Sequence, residues 1–569
     1  MKLRVLIAAA AVLGVAACSS DRSDQSADLI LTDGIIVTLE DALGEQQALA
    51  SRDGRILAVG SNEEIAALAD GDTRVINLEG RTVIPGFIEG HGHFMGLGAS
   101  RMVLDLRTPE SWDQIVGMVA EAASTAEPGA WILGRGWHQD KWTAPPSPAL
   151  EGFPLGFDLA EASPDNPVIL KHASGHASFA NAAALKAAGI TRDTPNPPGG
   201  EILRDASGRA TGLLRETAQR LVESAYSREN ESAASEATMR RAAELAASEA
   251  VAKGITTFHD AGVAPTTIDF YRTLADEGAL PLRLWVMIAG QSDSLEAMLT
   301  KYRTIGYGDG HLTVRAIKLS MDGALGSRGA WMLEPYSDAP DLTGLNLIPV
   351  DYVQSTAELA RKHDFQLCVH AIGDRANREV LDVYEEVLGS TENDRRWRIE
   401  HAQHLNPDEV PRFARLGVIA SMQAVHCTSD GPWVPSRIGD DRAEEGAYVW
   451  QKLMQSGAIV TNGTDTPVED IDPVANYYSS VTRRMINGET FYPDQKMTRL
   501  EALRSYTINN AIAGFEENDK GTLRPGKLAD LVVLSQNILE VPVEEIRTTM
   551  VDYTIVGGRV VHERSGAER

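Results

Sequence analysis

His91 and His93 stand one residue apart in Phe87-Ile88-Glu89-Gly90-His91-Gly92-His93. Residues at i and i+2 of an extended segment point the same way, so both imidazoles can reach one ion. Further groups of the same usefulness are spread along the chain: Lys318, His370, His401 and Asp465. Imidazole and carboxylate suit zinc and similar divalent ions, and a catalytic site of that kind keeps one position open for water. Asp465 also has a structural reading, as a helix N-cap ahead of Thr466-Pro467.

These residues need a scaffold that gathers them. Between about residues 82 and 465, apolar strand-like runs alternate with helical patterns, the signature of βαβ units. Eight runs are expected as strands: Thr82 to Glu89, Gly254 to Asp260, Leu282 to Ile288, Val314 to Ser320, Phe365 to Gly373, Trp397 to Gln403, Gly417 to Gln423 and Ala458 to Asp465. Eight such units predict an α/β chain folded as a (β/α)8 TIM barrel over residues 82–518, whose catalytic groups sit at the C-terminal strand ends. The candidate residues fall at or near such ends. The stretch between the first two strands is too long for one helix and two loops, which predicts a large insertion at 97–230 over the barrel mouth. Both chain ends are β-rich, with turn signals at Asp53-Gly54 and Gly557-Gly558. Segments 28–81 and 519–565 are expected to form one small composite β-sandwich.

The run Val83 to His93 (VIPGFIEGHGH) and the closing Gly521 to Val533 (GTLRPGKLADLVV) resemble the amidohydrolase superfamily. Four more segments resemble its amidohydrolase-3 branch: Trp131 to Trp142 (WILGRGWHQDKW), Lys318 to Tyr336, His370 to Ala376 (HAIGDRA) and Arg398 to Gln403 (RIEHAQ). The resemblance spans nearly all of the chain beyond its first residues. Glu89-Gly90 departs from the usual Asp-Ala or Asp-Thr, and Thr464 stands where serine is usual. The resemblance implies that His91, His93 and Asp465 hold one divalent metal and His370 and His401 a second. Lys318 would bridge them as a carboxylated lysine. A buried amine with a lowered pKa can add CO2 and become an anionic carbamate, whereas an unmodified Lys318 would pair with Asp322 or the substrate and leave one metal. Two zinc ions are expected, with manganese or iron also compatible. The implied activity is hydrolysis of a small-molecule C–N bond in an amide, formamide, cyclic amide or N-acyl compound. Metal-activated hydroxide attacks, and Asp465 serves as general base. A metal-dependent esterase or lactonase, or a non-catalytic binding lipoprotein on the same fold, is the alternative.

Other residues are candidates around the substrate. His176 is expected to hydrogen-bond the substrate carbonyl as a catalytic group. Trp137, Glu216, Arg328 and His426 are candidate substrate-binding residues: Trp137 as an aromatic wall or a core residue, Glu216 as a contact or a structural pair, Arg328 for a carboxylate, His426 at the mouth. His259-Asp260 is expected to support the ligands from behind rather than to bind the ion.

The formal net charge of -27 over 569 residues makes nucleic acid a poor partner, because phosphate binding needs basic clusters. Lys2 and Arg4 followed by the apolar run Val5 to Ala17 read as a signal peptide, residues 1–18. Val15-Ala16-Ala17-Cys18 resembles the lipobox of bacterial lipoproteins, which implies lipidation at Cys18 and a tether over 19–27. Ser19 after that cysteine implies the periplasmic face of the outer membrane, in a bacterial cell envelope. The membrane is then a partner through the lipid anchor only, and family precedent leans toward a homodimer. Cys368 and Cys427 are too few for a disulfide framework and read as packing residues.

Overall fold

The apolar run through Gly86 is two strands, not one. In the computed structural model, which describes residues 26–230, 235–292, 294–389 and 393–566, Thr82–Pro85 pairs antiparallel with Leu531–Leu534, while Phe87–Gly92 pairs parallel with Ile255–Val263. The chain turns at Gly86, where a Cβ would lie 2.2 Å from Thr256 Oγ1. Only glycine permits that approach, so the barrel begins at Phe87 rather than at Thr82.

Eight parallel strands follow one another as neighbours: Phe87–Gly92, Ile255–Val263, Arg283–Ala289, Leu312–Ser320, Gln366–Ala371, Arg398–His401, Ile419–Met422 and Val460–Asn462. They are buried on both faces, as a parallel sheet covered by helices must be. This is an α/β fold of the TIM-barrel type. The first and last strands end the ladder, and side chains close the seam between them. Asn510 Nδ2 donates to Ile88 O at 2.7 Å and to Asn462 O at 2.8 Å. Above it, Asp465 N donates to His91 O and His93 N to Thr466 O, both at 2.8 Å. The surrounding helices present small faces to this core. In Glu236–Ala252, capped by Ser235, residues 242, 243, 246, 247 and 250 are buried alanines at helical spacing.

The segment after the first barrel strand carries its own six-stranded sheet, in the order Gly200–Arg204, Ala210–Glu216, Ala177–Ala180, Val168–His172, Ile132–Trp137, Leu104–Asp105. One face buries Trp137, Leu170 and Phe179 with Trp112 and Ile115 of the helix Trp112–Thr125. At the chain ends, a four-stranded sheet containing Leu29–Thr32 and a six-stranded sheet containing Leu531–Leu534 share one apolar cluster. Their hairpins turn at Asp53-Gly54 and Gly557-Gly558, all four residues having positive φ, as two-residue hairpin turns favour. Among the described residues no helix is long and apolar enough to cross a membrane. Residues 1–18, with Cys18 and most of the expected tether, lie outside the described residues.

Candidate active site

His91 and His93 leave the first barrel strand with their rings held from behind. His91 Nδ1 lies 2.5 Å from Glu400 Oε2, and His93 Nδ1 lies 3.0 Å from the Ala261 carbonyl. Both contacts place the ring proton on Nδ1 and leave the Nε2 lone pair facing outward. His401 is held in the same way, Nδ1 at 2.7 Å from Gln423 Oε1. Partners of this kind fix the tautomer and ring orientation of metal-binding histidines.

The front nitrogens converge on Asp465. Its Oδ1 lies 3.2 Å from His93 Nε2 and 3.7 Å from His91 Nε2, and its Oδ2 lies 3.9 Å from His426 Nε2. Two trios suited to a metal ion share this carboxylate: His91, His93, Asp465 and His401, His426, Asp465. The Nε2 atoms of His91, His370 and His426, and Asp465 Oδ1, are buried without a hydrogen-bond partner. Buried polar atoms are normally satisfied, so this cluster fits a divalent cation that would supply the missing partner. Burial lowers the pKa of His91 despite the Glu400 carboxylate and pushes His370 and His401 well below the usual imidazole value. Neutral imidazole is the form that binds metal.

Backbone strain helps to assemble the group. Asp465 has φ +56° in the loop after the last strand, and His401 and Ala402 have φ +76° and +43°. Such left-handed conformations cost about 1–3 kcal/mol in non-glycine residues and persist where the surroundings enforce them. They let adjacent Glu400 and His401 both serve the site, where an extended chain would send them to opposite faces.

Beneath the ligands lies a buried polar layer that the sequence did not reveal as such. Arg398 Nε is 2.7 Å from Glu400 Oε1, and its Nη2 donates to Gly90 O and Ser421 Oγ, both at 2.7 Å. The alternation in Arg398-Ile399-Glu400 was the available signal, since i and i+2 share a face. Glu89 accepts from Thr464 N at 2.5 Å, so the two departures from the family pattern touch each other. Burial pushes the Glu89 carboxyl up to about 8. His259 packs on Trp285 and meets Arg398, while Asp260 accepts from Phe94 N and the Tyr271 hydroxyl.

Lys318 faces the same cavity. Asp322 is not its partner: that carboxylate accepts from the backbone N–H groups of Trp331, Ile372 and Gly373, and its Oδ1 lies 3.5 Å from His370 Nε2. The His370 ring lies 4.5 Å from the His401 ring. His426, expected at the mouth with substrate, sits instead among the donors around Asp465.

The inserted sheet roofs a cavity of about 660 Å3, a size suited to a small molecule. His176 enters this cavity, with Nδ1 2.7 Å from Glu216 Oε2. Burial alone would lower the His176 pKa, yet the Glu216 carboxylate outweighs it and the value is raised. Glu216 is thus a brace behind His176 rather than a substrate contact. Trp137 is fully buried in the insertion's core, where its indole N–H donates to Leu170 O at 2.8 Å. The reason is a bulge: Arg135 pairs with Lys171 but Trp137 with His172, and Gly136 between them has φ +113°. That extra residue flips the face, so Arg135 lines the cavity and Trp137 turns inward. Arg328 is also not a free carboxylate binder. Its guanidinium donates to Asp338 at 3.0 and 3.2 Å and to Glu151 O at 3.0 Å.

Fold and site together define a hydrolase of the barrel type, with a divalent-metal ligand set at the C-terminal strand ends. Residues 74–562 match the model of the amidohydrolase family, and the chain belongs to that family. It is 34% identical to Protein LONG AFTER FAR-RED 3 of Arabidopsis thaliana, over 94% of this chain and 92% of that protein. It is 29% identical to the N-substituted formamide deformylase of Arthrobacter pascens, over 95% of this chain and all of that enzyme. Among solved structures, an uncharacterized metal-dependent hydrolase from Pyrococcus horikoshii OT3 superposes with a TM-score of 0.72 at 25% identity, covering 91% of this chain and 99% of that one.

Proposed function

We propose that this protein hydrolyses a C–N bond of a small molecule, an amide, formamide, cyclic amide or N-acyl compound, outside the cytoplasm. The observation that carries this reading is the convergence of buried, unpartnered imidazole nitrogens on one carboxylate, Asp465, under a small-molecule cavity. Similarity to the formamide deformylase of Arthrobacter pascens supports the bond type.

His91, His93 and Asp465 would hold one ion, and His370 and His401 a second, with His426 alongside. Zinc fits these donors, and so do manganese and iron. Lys318 has no carboxylate in ion-pair contact among the described residues, and burial lowers its pKa. Its neutral amine would add CO2 and release a proton, becoming a carbamate ligand. When bound, the metal supplies acidification of water and polarisation of the scissile carbonyl. Asp465 takes the proton of the attacking water on a carboxylate oxygen and returns it to the leaving nitrogen. His176 in its protonated form, favoured by the Glu216 carboxylate, donates Nδ1–H to Glu216 and offers Nε2–H to the substrate carbonyl oxygen. At the N-terminus, Cys18 would carry the lipid that holds the enzyme on the periplasmic face of the outer membrane.

Elemental analysis of the purified body, paired with a panel of formamides, N-acyl compounds and matched esters, tests this reading. About two ions per chain are expected, with C–N cleavage that falls at least ~100-fold in Asp465→Asn. Cleavage of the esters alone would overturn the bond assignment. Absence of metal after reconstitution with zinc or manganese and bicarbonate would overturn the enzyme itself. Expressed with its own leader, the chain should incorporate labelled palmitate, and Cys18→Ala should not.

A further inference from the structure

Arg135 has no carboxylate in ion-pair contact among the described residues, the Asp465 carboxylate acting on it only from beyond that range. It lines the cavity under the inserted sheet. No salt bridge among the described residues reaches it, and its Nε is buried without a partner. The one hydrogen bond of its guanidinium to those residues runs from Nη2 to Ala173 O at 3.1 Å. Arg135 is half-buried, and leaving a guanidinium in that setting unpaired carries a cost that proteins normally avoid. The neighbouring cation is treated differently. Lys171 is directly opposite Arg135 in the sheet register, and its Nζ is neutralised by Glu223 at 2.5 Å. Two like charges side by side are themselves destabilising, so of this pair only Arg135 faces the cavity without an ion-pair partner among the described residues. The same cavity has an apolar share of lining from Val103, Leu133, Ile169, Tyr226 and Val468. The bulge at Gly136 turns Trp137 away from this wall and leaves Arg135 on it. Burial draws the guanidinium pKa down to about 10, which leaves it charged at neutral pH.

We infer that Arg135 is a specificity-determining residue that binds a carboxylate of the substrate, beside an apolar group held by the surrounding wall. This rests on the hydrolase reading above and names the substrate feature that reading left open. A guanidinium matches a carboxylate with paired, charge-assisted hydrogen bonds, which a neutral amide or ester cannot replace.

The test compares two formamides that differ only in the carboxylate: racemic N-formylleucine and N-(3-methylbutyl)formamide, with the metal-loaded protein. The wild type should favour the acid by about 10- to 100-fold in kcat/KM. In Arg135→Gln that ratio should fall toward one, mainly through KM, and Arg135→Lys should recover part of it. Calorimetry with the inert carboxylate 4-methylpentanoate supplies a readout independent of turnover. Binding by the wild type that is lost in Arg135→Gln is expected. Cleavage of both formamides with no preference, or a preference that survives Arg135→Gln, would overturn the inference and leave the hydrolase standing. Should neither formamide be cleaved, the calorimetry decides: binding lost in Arg135→Gln keeps the inference, whereas equal binding to both proteins, or none to the wild type, overturns the role of Arg135.

Discussion

The imidazole of His91 can serve an ion through Nε2 only while its proton stays on Nδ1, and Glu400 holds it there at 2.5 Å. Glu400 is itself fixed by Arg398, whose guanidinium outweighs the cost of burial and holds the carboxyl below its usual range, with His91 adding to the effect. Removing that charge should loosen the ion without deleting a ligand. Glu400→Gln is expected to weaken metal affinity about 10- to 100-fold, read by titration against a competing chelator. An unchanged affinity in a protein of unchanged circular dichroism would show that Glu400 is structural only. His91 and His93 were legible as candidate ligands because their spacing suits extended backbone. Glu400 was not, because its partner lies 309 residues away.

Among the elements, the seam of the barrel decides whether the ligands meet. His91 and His93 lie on one side of it and Asp465 on the other, and no strand ladder joins the two. Asn510, on the helix Ile508–Ala513, spans the gap through two hydrogen bonds to carbonyls of the first and last strands. Asn510→Ala leaves both without that donor, at a cost of about 1–3 kcal/mol. A lowered denaturation midpoint with an unchanged slope is the expected result. A midpoint equal to the wild type would mean that the loop contacts around Asp465 close the barrel alone. The inserted sheet shows the limit of pattern reading at this scale. Its strands alternate as expected up to Arg135, and one extra residue at Gly136 then reverses the faces. A bulge depends on the partner strand, which a single segment does not encode locally.

At the scale of the whole molecule, the sheets from the chain ends are tied to the barrel by a buried ion pair. Arg283, on the third barrel strand, donates through Nε and Nη2 to Asp530 at 2.7 and 3.0 Å, and Gly557 N donates to the same carboxylate at 2.7 Å. Burial alone would raise the Asp530 pKa, yet Arg283 outweighs it and the value is lowered. A depressed folded-state pKa contributes stability that is present above the unfolded value of about 3.9 and is lost as pH falls through the folded one. Asp530→Asn should therefore cost about 3–5 kcal/mol at pH 7. The gap to the wild type should narrow as the pH is lowered below about 4. A constant gap down to pH 2 in thermal melts would show that the loss comes from packing and not from the charge.

The sequence by itself determined the chemistry on offer and the architecture that presents it. The eight-strand count, His-Gly-His at one strand end and Asp465 beyond another follow from residue type and short-range periodicity. Periodicity records which residues a strand must bury, and that requirement is local. Tertiary structure decided which atoms meet. It put His426 beside Asp465, set Glu216 behind His176, engaged Arg328 with Asp338 and gave the cavity wall to Arg135 rather than Trp137. Each of those outcomes turns on a positive φ, a bulge or a partner distant in the chain. The direction of a side chain at such points is fixed by the contacts around it and not by its neighbours in sequence.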